Sequence, residues 1–68
     1  MNNEEAQRLV AEHLHDAIVT SPPGATDVQL ALYIVRRWSG LDLTDRDTRR
    51  DAVRMLADEV YKQRDTIS

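Results

Sequence analysis

The chain has 68 residues, with 12 acidic side chains, 9 basic ones and a formal net charge of −3. A chain of this length forms at most one domain and buries only about 60% of the surface that its unfolded form exposes. Cysteine and phenylalanine are absent, so neither disulfides nor thiolate metal sites can stabilise the fold, and aliphatic side chains must form most of the core. No stretch reaches the ~18 apolar residues of a membrane span, and the start of the chain, with Glu4 and Glu5 and no basic residue, is unlike that of a signal peptide. We therefore expect a cytoplasmic protein without membrane contact.

Charge is distributed unevenly along the chain. Residues 1–34 contain one arginine and five acidic residues, whereas residues 35–68 contain eight basic and seven acidic residues. Neither half has the excess of cations that non-specific binding to phosphates requires. A nucleic-acid partner is therefore not favoured.

A first helix is predicted from about residue 3 to 21. Asn2 can cap it, and Glu5, three residues later, completes a capping-box pattern. Pro22 must end the helix, because a proline disfavours the helical conformation of the residue before it. His13 lies at the margin of the apolar stripe. The stripe itself is formed by Ala6, Leu9, Val10, Leu14, Ala17 and Ile18.

The second predicted helix, from about residue 27 to 39, is the most apolar part of the chain. Thr26 and Gln29 have the spacing of a capping box, and Gly40 suits the left-handed position that often follows a helix. The apolar residues cover an arc of roughly 200°, wider than a surface helix needs. They are Val28, Leu30, Ala31, Leu32, Ile34, Val35 and Trp38.

The third predicted helix begins at residue 44 or slightly later and continues to about residue 64. Asp45 and Asp47 lie in its first turn, where the helix dipole favours acids. Tyr61 lies at one margin of its apolar stripe, and Ile67 extends the stripe if the helix continues that far. The stripe comprises Val53, Leu56, Ala57 and Val60.

These elements predict an all-α fold, a single three-helix domain over residues 1–68. The short connection through Pro22 and Pro23 makes the first two helices a hairpin. Because such small domains usually need further stabilisation, the surplus apolar surface of the second helix predicts a homodimeric helical bundle. The alternative is a monomer in which the outer helices wrap the middle one. The predicted dimer core consists of Leu30, Ile34, Val35 and Trp38.

Arginine and aromatic side chains form the candidate partner-binding surface. These residue types are enriched at the hot spots of protein interfaces. The predicted surface consists of Tyr33, Arg36, Arg37, Trp38, Arg49 and Arg50. In the alternative interpretation, the arginines pair within the chain with the acids of the first helix. Those acids are Glu4, Glu5, Glu12 and Asp16.

Catalytic and metal-binding patterns are weak. Glu12 and His15 have the i, i+3 spacing of half a carboxylate-bridged metal site, but both point away from the apolar stripe. The two glycines do not form a phosphate-binding loop. We expect no enzyme activity, no metal and no cofactor.

The function predicted from the sequence is that of a non-enzymatic binding protein: a regulator, inhibitor or adaptor that contacts another protein, as small phage and mobile-element proteins of this size do. Two alternatives stay open. The second and third helices with Gly40 between them resemble a DNA-binding helix-turn-helix in outline, and the arginines could hold a phosphorylated nucleotide between subunits.

Overall fold

In the computed structural model, which describes residues 1–67, the chain forms three α-helices and has no strand. The helices are α1 (Asn3–Thr20), α2 (Asp27–Trp38) and α3 (Arg46–Ile67). The predicted all-α class with three helices is confirmed. The side chains of residues 66 and 67 lie outside the description, and so does the predicted contribution of Ile67 to the stripe.

The ends of α1 follow from its flanking residues. The Asn2 side chain accepts a hydrogen bond from the Glu5 backbone N–H at 2.8 Å, which satisfies one of the free donors at the helix start. Ser21 is extended, with ψ 156°, because the ring of Pro22 excludes the helical conformation there. The helix therefore ends one residue earlier than predicted.

The helix α2 starts at the predicted residue and ends at Trp38, one residue before the predicted end. Thr26 Oγ1 accepts from the Gln29 N–H at 3.2 Å, and Gln29 Oε1 accepts from the Thr26 N–H at 2.8 Å, a complete capping box. Beyond the other end, the Ser39 hydroxyl donates to the Val35 carbonyl at 2.6 Å. Gly40 then adopts φ +69°, a left-handed conformation that glycine takes without steric cost.

The start of α3 is set by two aspartates. The Asp45 carboxylate accepts from the Asp47 N–H at 3.2 Å and from the Thr48 hydroxyl at 2.7 Å. Before it, Asp42 Oδ1 accepts from the N–H and the hydroxyl of Thr44 at 3.0 and 2.6 Å. Thr44 is thus part of a side-chain-stabilised turn, and the helix begins at residue 46, within the predicted start at residue 44 or slightly later.

Residues from α1, α2 and α3 form the hydrophobic core. Ile18 is an exception to the predicted α1 stripe, because its side chain is 44% exposed. In α3, Ala52 is buried, whereas Val53 and Ala57 of the predicted stripe are half-buried. The buried residues are Ala6, Leu9, Val10, Leu14, Ala17, Leu30, Ala31, Ile34, Val35, Ala52, Leu56 and Val60.

Three of the four residues predicted for a shared dimer core are buried within the single chain. Leu30, Ile34 and Val35 are at most 1% exposed, because α1 and α3 already cover this face of α2. Trp38 is half-buried. A second copy would therefore have to use other residues of α2, such as Val28, which is 56% exposed. The homodimer itself stays a prediction.

Polar contacts join the end of α3 to the starts of α1 and α2. Arg64 Nη1 lies 2.7 Å from Asp27 Oδ1, and Gln63 Nε2 donates to the Gln7 carbonyl at 3.1 Å. Among the described residues, no ion pair joins an arginine to the four acids of α1 that were the expected partners. The ion pairs of Arg64 and Arg50 are formed with Asp27 of α2 and Asp47 of α3 instead.

No helix within residues 1–67 combines the length and the apolar character needed to cross a membrane.

Candidate functional site

Four side chains from α1 and α2 stack at the surface, and we call them the aromatic–arginine cluster: His13, Tyr33, Arg37 and Trp38. The rings of His13 and Trp38 are parallel within 3°, with centroids 4.0 Å apart. Tyr33 meets Trp38 edge to face at 5.7 Å. The guanidinium carbon of Arg37 lies 5.3 Å from the centroid of the Tyr33 ring and 5.6 Å from that of Trp38.

Helix geometry explains most of this arrangement. Tyr33 and Arg37 are four residues apart on α2, so their side chains are neighbours on one face. Trp38 is the last residue of α2 and packs against the core at the edge of α1. His13 comes from α1, which makes the cluster a contact between two helices rather than a local feature of one.

The Arg37 guanidinium is held over two rings. A guanidinium in this position is attracted by the negative faces of the rings, worth about 0.5–1 kcal/mol at an exposed site. The Arg37 side chain is exposed, so solvent or a partner can still reach it. Its N–H donors can therefore bind a further ligand.

His13 is a half-buried member of the cluster. Its side chain is 21% exposed, and its Nε2 lies 3.6 Å from a carboxylate oxygen of Glu12. Glu12 therefore contacts its immediate neighbour, while His15 is exposed. Within the part of the chain that the structure describes, no three histidine, aspartate or glutamate side chains are grouped to hold a metal ion.

A groove with a volume of about 480 Å³ adjoins the cluster, and we call it the α2 groove. It lies between the turn that follows α1 and the outer face of α2. Its apolar lining consists of Pro22, Ala25, Leu32 and the ring of Tyr33, and its polar lining of Ser21, Gln29, Arg36 and Arg37. Two members of the cluster, Tyr33 and Arg37, thus also line the groove.

Four of the six residues predicted for partner binding come together here. Tyr33, Arg36 and Arg37 line the α2 groove, and Trp38 contacts two of them. The other two predicted residues are Arg49 and Arg50. Both are exposed in the first turns of α3, and neither lines the groove or contacts the cluster rings.

Arg50 instead has a local partner. Its Nη2 lies 3.7 Å from Asp47 Oδ1, one turn away on α3. Both side chains are more than 70% exposed, so this pair contributes little to stability.

Sequence reasoning missed His13, Pro22 and Ala25 as members of this surface. The position of His13 at the margin of the α1 stripe was a usable signal, because residues there face the neighbouring helix. The apolar residues of the turn gave no comparable signal, since their contact with Leu32 depends on how the hairpin closes.

A second, larger groove lies between the start of α2 and the middle of α3, with a volume of about 920 Å³. Two exposed apolar side chains flank it, Val28 at 56% and Tyr61 at 64% exposure. We call it the α2–α3 groove. Its lining consists of Met1, Asp27, Val28, Asp51, Arg54, Met55, Ala57, Asp58 and Tyr61.

Comparisons of this chain with protein-family models, with curated proteins and with solved structures found no match.

Proposed function

We propose that this chain is a non-enzymatic regulator, inhibitor or adaptor that binds another protein through the aromatic–arginine cluster. The observation that carries the proposal is the packing of Tyr33, Arg37 and Trp38 against one another beside an open groove. Tyrosine, tryptophan and arginine dominate the binding energy of protein interfaces. Their mutual contacts reduce the side-chain entropy that binding would otherwise cost.

A binding role fits the cluster better than proton-transfer chemistry. The face of the His13 ring lies against Trp38, an arrangement that fixes the shape of the surface. The groups beside it are an indole, a phenol and a guanidinium, which suit shape and charge recognition.

Protein is favoured over nucleic acid because of the charges on α3. In a helix-turn-helix arrangement α3 would face the DNA, and its start carries the exposed carboxylates of Asp45 and Asp47. Carboxylates there would repel phosphates, and the net charge of −3 would weaken association with a polyanion.

The experiment is an affinity purification from the cells that make the protein, followed by calorimetry with the purified partner. We expect Trp38→Ala and Arg37→Glu each to weaken the binary complex by about tenfold or more. Arg46→Glu, which reverses an exposed charge on α3, is the matched control and should bind normally. Thermal melts of all variants separate loss of binding from loss of folding.

Two results would contradict the proposal. One is a purified complex that neither cluster variant weakens. The other is a salt-dependent shift of duplex DNA, or thermal stabilisation by a nucleoside triphosphate, that depends on Arg49 and Arg50.

We also propose that the chain forms a homodimer, with the α2–α3 groove as the interface. Val28 and Tyr61 supply exposed apolar area beside this groove. The lining includes Arg54 together with Asp51 and Asp58. A surface that carries both signs of charge can pair with its own copy across a two-fold axis.

Light scattering over a dilution series tests the dimer. We expect a mass of twice 7.8 kDa, and we expect Val28→Glu or Tyr61→Glu to convert the protein to a monomer. Val19→Glu introduces the same charge at a 69% exposed position at the end of α1, and this control should remain dimeric. A wild-type protein that is monomeric at every concentration would exclude the dimer.

A further inference from the structure

We infer that the α2 groove binds an acidic peptide segment, in which a carboxylate is held by Arg36 and Arg37 and a neighbouring apolar side chain is seated against Leu32. This inference rests on the proposed protein-binding function and names the class of partner.

The charged side chains that line the groove are all positive. Arg36 and Arg37 are the charged residues of its lining, both are exposed, and no acidic residue lines it. Among the ion pairs of the described residues, none includes either arginine. Two adjacent cations without an internal counter-charge favour an anionic occupant.

The position of Arg37 suits a carboxylate. The central carbon of its guanidinium lies 5.3 Å from the centroid of the Tyr33 ring and 5.6 Å from that of Trp38, so cation–π attraction holds the group beside the groove. The N–H donors of a guanidinium match the two oxygens of a carboxylate in a bidentate contact. The rings therefore restrict Arg37 before the ligand arrives, which reduces the entropy cost of binding.

The rest of the lining favours a ligand with an apolar group next to its carboxylate. Pro22, Ala25 and Leu32 form a surface without charge next to the two arginines. A volume of about 480 Å³ is in the range of small ligand sites, roughly 300–1,000 Å³. A peptide with a large apolar residue next to aspartate or glutamate satisfies both parts of the groove.

A free phosphate group fits less well. Sites for phosphate usually supply several backbone N–H donors, often from the start of a helix. The arginines of the α2 groove instead lie in the last turn of α2, and Pro22 of the adjacent turn has no N–H to donate.

Selection from a displayed library of random short peptides tests the inference without assuming a sequence. Against the wild-type protein, we expect enrichment of aspartate or glutamate next to a large apolar residue. Against the double variant Arg36→Glu, Arg37→Glu, we expect that motif to disappear and lysine or arginine to replace the acid. The control, Arg49→Glu, Arg50→Glu, makes the same charge change outside the groove and should select the wild-type motif.

Nuclear magnetic resonance titration with one selected peptide then locates the site. We expect amide shifts at Ala25, Leu32 and Arg36, and at least about tenfold weaker binding when the acid of the peptide is replaced by its amide. Selected peptides without acidic enrichment, shifts confined to another face, or tighter binding of inorganic phosphate than of the peptide would each overturn the inference. Binding of the Trp38→Ala variant to the purified protein partner separates this failure from failure of the proposed function. If that variant binds the partner more weakly although the peptide results contradict the inference, the protein-binding function stands and only the class of peptide is wrong.

Discussion

The imidazole of His13 lies flat on the indole of Trp38, with ring centroids 4.0 Å apart and planes 3° from parallel. This contact joins the middle of α1 to the last residue of α2. It therefore contributes both to the stability of the hairpin and to the shape of the aromatic–arginine cluster.

Replacing His13 by alanine should lower the free energy of unfolding by about 1 kcal/mol, since a stacked aromatic pair contributes roughly 0.5–1.5 kcal/mol beyond its area. Trp38 is the single tryptophan of the chain, so its fluorescence reports the change directly. We expect its emission to shift to longer wavelength as solvent reaches the uncovered ring face. His15→Ala, at an exposed position of the same helix, should leave the spectrum unchanged.

Leu56→Ala should unfold much of the population at room temperature. Leu56 is 0% exposed, and removing a buried leucine side chain costs about 2–5 kcal/mol. A domain of this size rarely has more than about 3–5 kcal/mol from its core. Far-ultraviolet circular dichroism during urea titration measures the loss. Leu32→Ala, at a half-buried position, should cost only about 1 kcal/mol. Equal effects of the two changes would contradict this description of the core.

The sequence predicted the helices well because their ends are encoded locally. Thr26 with Gln29, and Ser21 before Pro22, act through neighbours in the chain, and these effects do not depend on the rest of the fold. The burial of the α2 side chains, in contrast, is not encoded locally. A wheel gives the width of an apolar arc but not how much of it the other helices cover, and here α1 and α3 bury Leu30, Ile34 and Val35 completely.

Only part of the candidate site could be predicted, because only that part depends on spacing within one helix. Tyr33 and Arg37 are four residues apart on α2, so their proximity follows from helical spacing. The contacts of Trp38 with both do not follow from it, because Trp38 is five residues from Tyr33 and adjacent to Arg37 in the chain. The contribution of His13 and the groove beside Pro22 depend on how the two helices close. The margin of the α1 stripe indicated that His13 faces a neighbouring helix, but it did not indicate which residue His13 would contact.

Thr26→Ala should destabilise the protein by about 1 kcal/mol, within the range of roughly 0.5–2 kcal/mol for loss of a capping side chain. The alanine cannot accept the hydrogen bond that Gln29 N–H now donates. Thr26→Ser retains the hydroxyl and should remain close to wild type in thermal melts. A serine variant as unstable as the alanine variant would show that the methyl group, and not the cap, is responsible.

The turn at Asp42 should make stability depend on pH. Hydrogen bonds from Thr44 to the ionised carboxylate hold the pKa of Asp42 below its ordinary value of 3.8. Because the folded state binds this proton less readily than the unfolded chain, the stabilisation is present above that value and is lost as the pH falls below it. Asp42→Asn should therefore melt slightly below wild type at neutral pH, and this difference should close in acid. Thr44→Val, which removes the hydroxyl donor, should reduce the pH dependence; an unchanged profile would contradict the assignment.

The position of Val60 has a consequence during synthesis of the protein. This residue lies near the far end of α3 and is 0% exposed in the folded chain. Until it has left the ribosome, the apolar faces of α1 and α2 lack one side of their cover. The growing chain therefore exposes the apolar surface of the α1–α2 hairpin, and folding can be completed only after Val60 has left the ribosome.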